Sequence, residues 1–187
     1  MKEDYIMLKF SLENPIYFKL GSYVECNFGL FEVCDLQKPA FNTNTAGYDY
    51  ELRLDAYYWK WKNKIFKYTP ETTGQEASWN LTAPLDVQAG IVLRNLKALG
   101  YTYKGQDFVF SIDSMVENKS QLMSYYNINI LDACFEMAKK WDCECWVTEN
   151  IIHFGRCESG DAVDFEIGKN VQEMSQSESQ STYATRI

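Results

Sequence analysis

The residue types best suited to metal chemistry lie close together late in the sequence: Cys143, Cys145, His153 and Cys157. On a strand, Cys143 and Cys145 would place both thiols on one face, and His153 could lie across a hairpin from them. Structural zinc prefers ligand pairs with about two to four residues between them, usually as two such pairs. Here the cysteines are closer than that, and a second pair is missing. We therefore assign no metal ligand and interpret these cysteines as core residues of a strand.

His153 is also the only histidine that could act as a general base. It lies between Ile152 and Phe154, and no serine or cysteine has the local signature of an activated nucleophile. A lone histidine in a strand is more often structural than catalytic. We therefore assign no catalytic residue, and keep a cell-wall hydrolase or peptidase module as an alternative.

Six carboxylates could be paired as the acid and base of a glycosidase: Glu3, Asp4, Glu13, Asp49, Glu51 and Asp55. Such a pair acts only when its carboxyl groups are held roughly 5 to 10 Å apart around a sugar. Alternating acids are also expected on any strand that has one face in water. We interpret these residues as the solvated face of strands.

Residues 59–64 read WKWKNK, a mixture of aromatic and basic residues like that of single-strand binders. Strand alternation would place Trp59 and Trp61 on one face and the lysines on the other. This separates the stacking rings from the charge, and the net charge of −8 opposes binding to phosphates. We predict that these residues belong to a sheet with one packed face and one solvent-exposed face, and that they form no nucleic-acid site.

Composition indicates a folded protein rich in β-structure. Of the 187 residues, 46% are apolar and 16% aromatic, so the chain can bury a core. The N-terminus contains acids where a signal peptide needs an apolar stretch, and no apolar run approaches the roughly 20 residues of a membrane span. We expect a soluble protein kept in the cytosol, with reduced cysteines and no membrane contact.

The first part of the chain alternates between apolar and polar residues over short segments, which predicts an antiparallel barrel or sandwich. These segments are residues 5–12, 16–20, 23–28, 31–33, 48–56, 59–61, 65–68 and 79–81. At Thr82 the period becomes helical. A helical stripe spans residues 85–99, with Pro84 near its start and Gly100 as a left-handed stop. Strands are predicted next at residues 108–112 and 122–126.

Residues 129–155 predict a helix that runs directly into a β-hairpin. Asn129 is a good N-cap, with Asp132 as the returning carboxylate. The apolar stripe of this helix consists of Leu131, Cys134, Phe135, Ala138 and Trp141. The predicted hairpin has strands at residues 143–147 and 151–154, joined by residues 148–150.

This order of elements predicts an α+β protein. A β-barrel-like antiparallel domain, residues 1–81 and 162–187, is interrupted by a small inserted α+β domain. The insertion spans residues 82–161 and contains two helices and about four strands. The alternative is that residues 162–187 begin a second barrel.

Three segments carry a family resemblance: IYFKLGSYVE at residues 16–25, the helix–hairpin at 129–155, and FEIGKN at 165–170. In order and spacing they resemble the N-terminal part of phage and prophage tail proteins. These are the baseplate hub or tail-tip proteins, also called tail-associated lysin or prophage tail endopeptidase proteins. The resemblance covers nearly the whole chain and includes no catalytic motif.

The resemblance implies a structural subunit of a homotrimeric ring that closes the distal end of the tail tube, with β-barrel domains lining the channel. Its implied partners are other tail proteins (distal tail, tail tube or tape measure proteins), and DNA would pass through without specific binding. The implied location is the virion tail, after assembly in the bacterial cytoplasm. No metal or cofactor is implied. Lytic activity in the family usually resides in a separate C-terminal region, and family members tend to continue beyond the position of Ile187.

Two other functions stay open beside a structural subunit. A hydrolase or peptidase would require a cleft that joins His153 or paired carboxylates. A carbohydrate-binding module would require exposed tryptophan and tyrosine rings in a row.

Overall fold

The computed structural model of the chain describes residues 4–27, 29–35, 39–44, 46–72 and 77–157. Its helices are α1, Leu85–Ala98, and α2, Ile130–Lys140, and a 3₁₀-helix spans Trp59–Asn63. Its strands are β1 Tyr5–Leu12, β2 Tyr23–Cys26, β3 Gly29–Val33, β4 Ala40–Asn42, β5 Gly47–Ala56, β6 Ser78–Ala83, β7 Thr102–Tyr103, β8 Gln106–Asp107, β9 Val109–Ile112, β10 Gln121–Tyr126, β11 Glu144–Thr148 and β12 Ile151–Gly155. This mixture confirms the predicted α+β class.

The main sheet is built around β5. Its strand order is β1-β5-β3-β2, and β4 also pairs with β5. β1 pairs along its whole length with one side of β5, with Tyr5 opposite Asp55. β3 and β4 share the other side of β5, one near each of its ends. The sheet is antiparallel and curls into a half-barrel, in agreement with the predicted barrel-like architecture.

The alternation along β5 separates a buried row from a charged row. The buried row is Tyr50, Leu52, Leu54 and Ala56. The residues between them, Glu51, Arg53 and Asp55, are exposed or half-buried on the opposite face. Burying one leucine side chain stabilises a fold by about 1.5 to 3 kcal/mol, so this row anchors the sheet. The predicted alternation of β5 is confirmed.

Residues 15–19 do not form the predicted strand but cross the sheet as an irregular segment. The Ile16 N–H donates to the Tyr50 hydroxyl at 2.6 Å, and that hydroxyl donates to the Ile16 carbonyl at 2.9 Å. The Phe18 ring packs edge-on against Phe10 and Tyr50. Pro15 cannot donate to a strand ladder, and the tyrosine satisfies both backbone groups of Ile16 instead. The strand prediction for this segment was wrong.

The segment Trp59–Asn63 is a 3₁₀-helix, which corrects the predicted strand. Its turns close through hydrogen bonds from the Trp61 N–H to the Tyr58 carbonyl and from the Lys64 N–H to the Trp61 carbonyl. Trp61 is fully buried, with its ring edge-on to Phe108 at 4.9 Å. Packing of this ring outweighs the β-propensity of the sequence, because that propensity depends on context.

Both helices begin where the sequence predicts. α1 follows Pro84 as its N-cap, and Gly100 after it has a φ of +68°. α2 is capped by Asn129, whose Oδ1 accepts from the Asp132 N–H at 2.8 Å. The Asp132 carboxylate differs from the predicted capping box, since it accepts from the Asn129 side-chain amide at 2.6 Å. That contact holds the capping side chain in place.

In the described ranges, three smaller sheets accompany the helices. β10 pairs with β6, and β7 pairs with β8. β12 is the middle strand of the third sheet, antiparallel to β11 and parallel to β9. α1 packs against α2 and β9, and α2 packs against β11, so both helices contact this third sheet.

One contiguous core joins the main sheet to the helices. It includes Leu54 of β5, Leu85 of α1, Leu131 of α2 and the rings of Trp61 and Phe108. The described residues up to Cys157 belong to one compact unit. The predicted domain division at residue 82 stays a prediction, and residues 162–187 lie outside the described residues. No helix among the described residues combines the length and apolar character that crossing a membrane requires.

Candidate functional site

The β11–β12 hairpin places the cysteines and the histidine on different faces. Cys145 pairs with Phe154, whereas His153 pairs with Trp146 and stacks on its ring at 4.9 Å. The predicted turn, residues 148–150, would have set Cys145 opposite His153. The actual turn is one residue shorter, because Thr148 belongs to β11. A shift of one residue reverses the face of every side chain, so His153 turns away from the thiols.

Cys134 of α2 is buried, whereas Cys143, just before β11, and Cys145 of β11 are half-buried. A side-chain interaction with Cys145, together with burial, raises the pKa of Cys134 well above its usual range. Burial raises the pKa of Cys143 to about 11. Thiols held in the protonated form are poor nucleophiles and poor metal ligands. All six cysteines lie in the described part of the chain and are free.

His153 has a hydrogen-bond partner, Thr148, that no sequence pattern indicates. Its Nε2 lies 2.6 Å from the Thr148 hydroxyl across the hairpin. Burial lowers the pKa of His153, which favours the neutral ring. A nucleophile–base pair also needs a third group that orients the base, and no carboxylate bonds to His153 among the described residues. No group of three or more potential metal ligands occurs in these residues either.

Four of the six nominated carboxylates are bonded to donors on or near the main sheet, whereas Glu13 is exposed. Asp49 accepts from the Ser11 hydroxyl and the Asn42 amide, and these bonds lower the pKa of Asp49. Further pairs are Glu51 with Lys9, Asp55 with Arg53, and Asp4 with the Tyr58 hydroxyl. A general acid needs a raised pKa, so Asp49 is unsuited to that role. Glu3 lies outside the described residues.

The tryptophans and lysines of residues 59–64 do not form a nucleic-acid platform. Trp61 is fully buried and Trp59 is half-buried. Lys62 lies over the Trp59 ring at 5.2 Å, and Lys60 is hydrogen-bonded to Tyr23 and Glu32. Bases therefore cannot stack on Trp61, and two of the lysines are used within the fold.

Within the described part of the chain, the main sheet has one long edge that is not paired. We use "the β1 edge" for the side of Tyr5–Leu12 that faces away from β5. No strand among the described residues pairs with it. The inward side chains of Ile6, Leu8 and Phe10 are only half-buried, whereas the neighbouring row of β5 is buried. Exposed apolar side chains also lie on or near this sheet: Tyr5, Met7, Ile16, Tyr17, Leu20, Tyr23 and Phe41.

No protein-family model matches this chain, and no curated protein matches it. Among solved structures, it is similar to prophage tail protein gp18 from Listeria monocytogenes EGD-e. The TM-score is 0.47 and the sequence identity 13%, over 80% of this chain and 40% of that chain. The chain thus spans less than half the length of that protein.

Proposed function

We propose that this chain is a structural component of a phage or prophage tail. At finer detail, it is a subunit of the tail tip or baseplate hub and assembles as a homotrimeric ring at the distal end of the tail tube. Its partners are copies of itself and neighbouring tail proteins, and it carries out no reaction of its own. The sequence resemblance at residues 16–25, 129–155 and 165–170 motivates this proposal, and the β1 edge supports it.

The backbone of β1 offers a ready template for another strand. The Ala56 N–H donates to the Asp4 carbonyl at 2.9 Å, so Asp4 and every second residue after it bond to β5. The alternate residues, among them Met7 and Lys9, direct their backbone groups to the open side. An unpaired edge is a site for pairing with another chain. The backbone groups on the open side of β1 are paired only when another strand or another molecule of an assembly lies beside them.

The sequence of β1 does little to protect this edge. Its eight residues contain one charge, Lys9, and no proline. Monomeric proteins usually guard such edges with charges, proline or bulges. In a head-to-tail assembly, the β1 edge of each copy contacts a different surface of the next copy. Such a contact generates a ring when the rotation closes. The net charge of −8 suits a wall that DNA passes without sticking.

The mass of the purified chain in solution tests the ring. We expect three chains per particle by native mass spectrometry and by light scattering. Met7→Lys adds a charge at the β1 edge and should shift the particle to monomers. Met115→Lys is the matched control, because Met115 is an exposed methionine outside the strands. A wild-type monomer at every concentration, or equal behaviour of the two variants, contradicts assembly through this edge.

A further inference from the structure

A second feature of the fold is a cleft where the β2–β3 hairpin, the 3₁₀-helix and β7 meet. Its volume is about 380 Å³. It is lined by Tyr23, Leu30, Tyr57, Lys60, Thr102 and Lys104. Pockets for small ligands typically measure roughly 300 to 1,000 Å³ and combine an apolar lining with a few polar groups. The size and the lining of this cleft meet both conditions.

The apolar part of the cleft is formed by Tyr23, Leu30 and Tyr57. Tyr57 is buried, and its hydroxyl donates to the Glu149 carbonyl, which fixes the ring. Tyr23 is half exposed: Lys60 Nζ lies over its ring, 5.4 Å from the centroid, and the rest of the ring surface is accessible to solvent. Leu30 of β3 is half-buried and lines the cleft. An accessible aromatic ring offers a large, rigid surface for the C–H face of a ligand.

The polar part of the cleft includes the ammonium groups of Lys60 and Lys104 and the hydroxyls of Tyr23 and Thr102. Lys60 Nζ lies 2.9 Å from the Tyr23 hydroxyl and 3.3 Å from Glu32 Oε2. Lys104 Nζ lies 2.7 Å from Glu25 Oε1. An ammonium has three N–H donors, so both lysines keep donors for a ligand.

These contacts also decide the charge of the site. Desolvation lowers the pKa of Lys60, but the hydrogen bond to Tyr23 and the charge of Glu32 outweigh it and raise that pKa. The hydrogen bond to Glu25 raises the pKa of Lys104. Both lysines therefore stay protonated and cannot act as nucleophiles. Their two positive charges are balanced by the two carboxylates, so the cleft has no excess charge for an anion.

We infer that this cleft binds a neutral, hydroxyl-rich ligand of the size of a sugar. A sugar offers an apolar C–H face to the Tyr23 ring and oxygen acceptors to the lysines and Thr102. A purely apolar ligand would leave these polar groups desolvated and unpaired, which is costly. A phosphate would meet Glu25 and Glu32 beside each ammonium. The inference does not depend on ring assembly.

Saturation-transfer NMR on the full chain tests this site. The probes are maltose, lactose and N,N′-diacetylchitobiose, with inorganic phosphate as the anionic probe. We expect transfer to at least one disaccharide and none to phosphate. Tyr23→Ala should weaken that binding about tenfold or more, since it removes the stacking surface.

Two further variants make the test specific. Thr102→Val removes a hydroxyl without changing the shape and should also weaken binding. Tyr126→Ala is the matched control, because Tyr126 is an exposed tyrosine on β10 outside the cleft lining, and it should bind as wild type does. Circular dichroism confirms that each variant is folded. Absence of binding to every disaccharide, equal binding by Tyr23→Ala and wild type, or preferential binding of phosphate overturns the inference.

Discussion

The Tyr125 hydroxyl donates a hydrogen bond to the Gln88 side-chain oxygen at 2.7 Å, inside the core. Both side chains are buried. The Gln88 amide donates in turn to the Leu81 carbonyl of β6 at 3.2 Å. One glutamine therefore connects α1 to β10 through a side chain and to β6 through the backbone. Buried polar groups are tolerated in this way because each finds a partner.

Replacing Gln88 should lower the stability of the fold. Gln88→Leu removes the acceptor of the buried Tyr125 hydroxyl. We expect this variant to lower the free energy of unfolding by about 1 to 3 kcal/mol. Urea unfolding followed by fluorescence measures the loss. Adding Tyr125→Phe removes the stranded hydroxyl and should recover part of it. A single variant as stable as wild type would show that the hydrogen bond contributes nothing.

The cap of α2 makes a separate prediction. Asn129→Ala removes the acceptor for the Asp132 N–H and should cost about 0.5 to 2 kcal/mol of stability. Asn129→Ser keeps a capping oxygen and serves as the control. Thermal unfolding by circular dichroism compares the three proteins. If serine and alanine destabilise equally, the cap is not the cause.

His153 should make stability depend on pH. Burial lowers its pKa in the folded state below the usual value of about 6.5, so the unfolded chain binds the proton more tightly. The stability that the neutral ring contributes is present above pH 6.5 or so and is lost as the pH falls through the folded pKa. This is the only histidine, so one Hε1 resonance in ¹H NMR reports the titration.

A His153→Gln variant provides the reference for this pH dependence. Its unfolding free energy should lack the part of the wild-type decrease between neutral and mildly acidic pH. A wild-type titration midpoint at or above the value of the unfolded chain would refute the assignment.

The thiols should differ in their reactivity toward iodoacetamide at neutral pH. Cys157 is exposed and should be alkylated early. Cys134 is buried with a raised pKa, so it should react only after unfolding. Peptide mass spectrometry over time gives the order of modification. Early alkylation of Cys134 in the folded protein would contradict its placement under β11, and labelling in urea shows that every thiol can react.

Sequence patterns predicted the elements whose signals are local. The alternation of β5, the stripe of α1 and the cap of α2 each lie within one short segment. The 3₁₀-helix at Trp61 was missed because its cause is distant in sequence: Phe108 packs on that ring. Pattern alone could not detect that Tyr50 holds the backbone of Ile16, since this contact joins two distant segments.

The prediction of functional residues depended on the pairing register of the β11–β12 hairpin. Sequence placed His153 across the hairpin from the cysteines, but which face it occupies depends on whether Thr148 ends a strand or begins a turn. β12 pairs with both β11 and β9, and no local pattern shows this arrangement. The cleft residues Tyr23, Lys60 and Lys104 come from three separate elements, and their spacing along the chain carries no sign of their meeting.

The parallel pairing of β9 with β12 has a consequence for synthesis on the ribosome. Val109 pairs with Ile151, so β9 leaves the exit tunnel well before its neighbour exists. At roughly 5 to 20 residues per second, the wait lasts several seconds. During that interval the nascent polypeptide displays an unmatched apolar segment to chaperones and to other emerging chains. Slowing translation between the two strands should therefore reduce the yield of native protein, whereas slowing it after β12 has emerged should not.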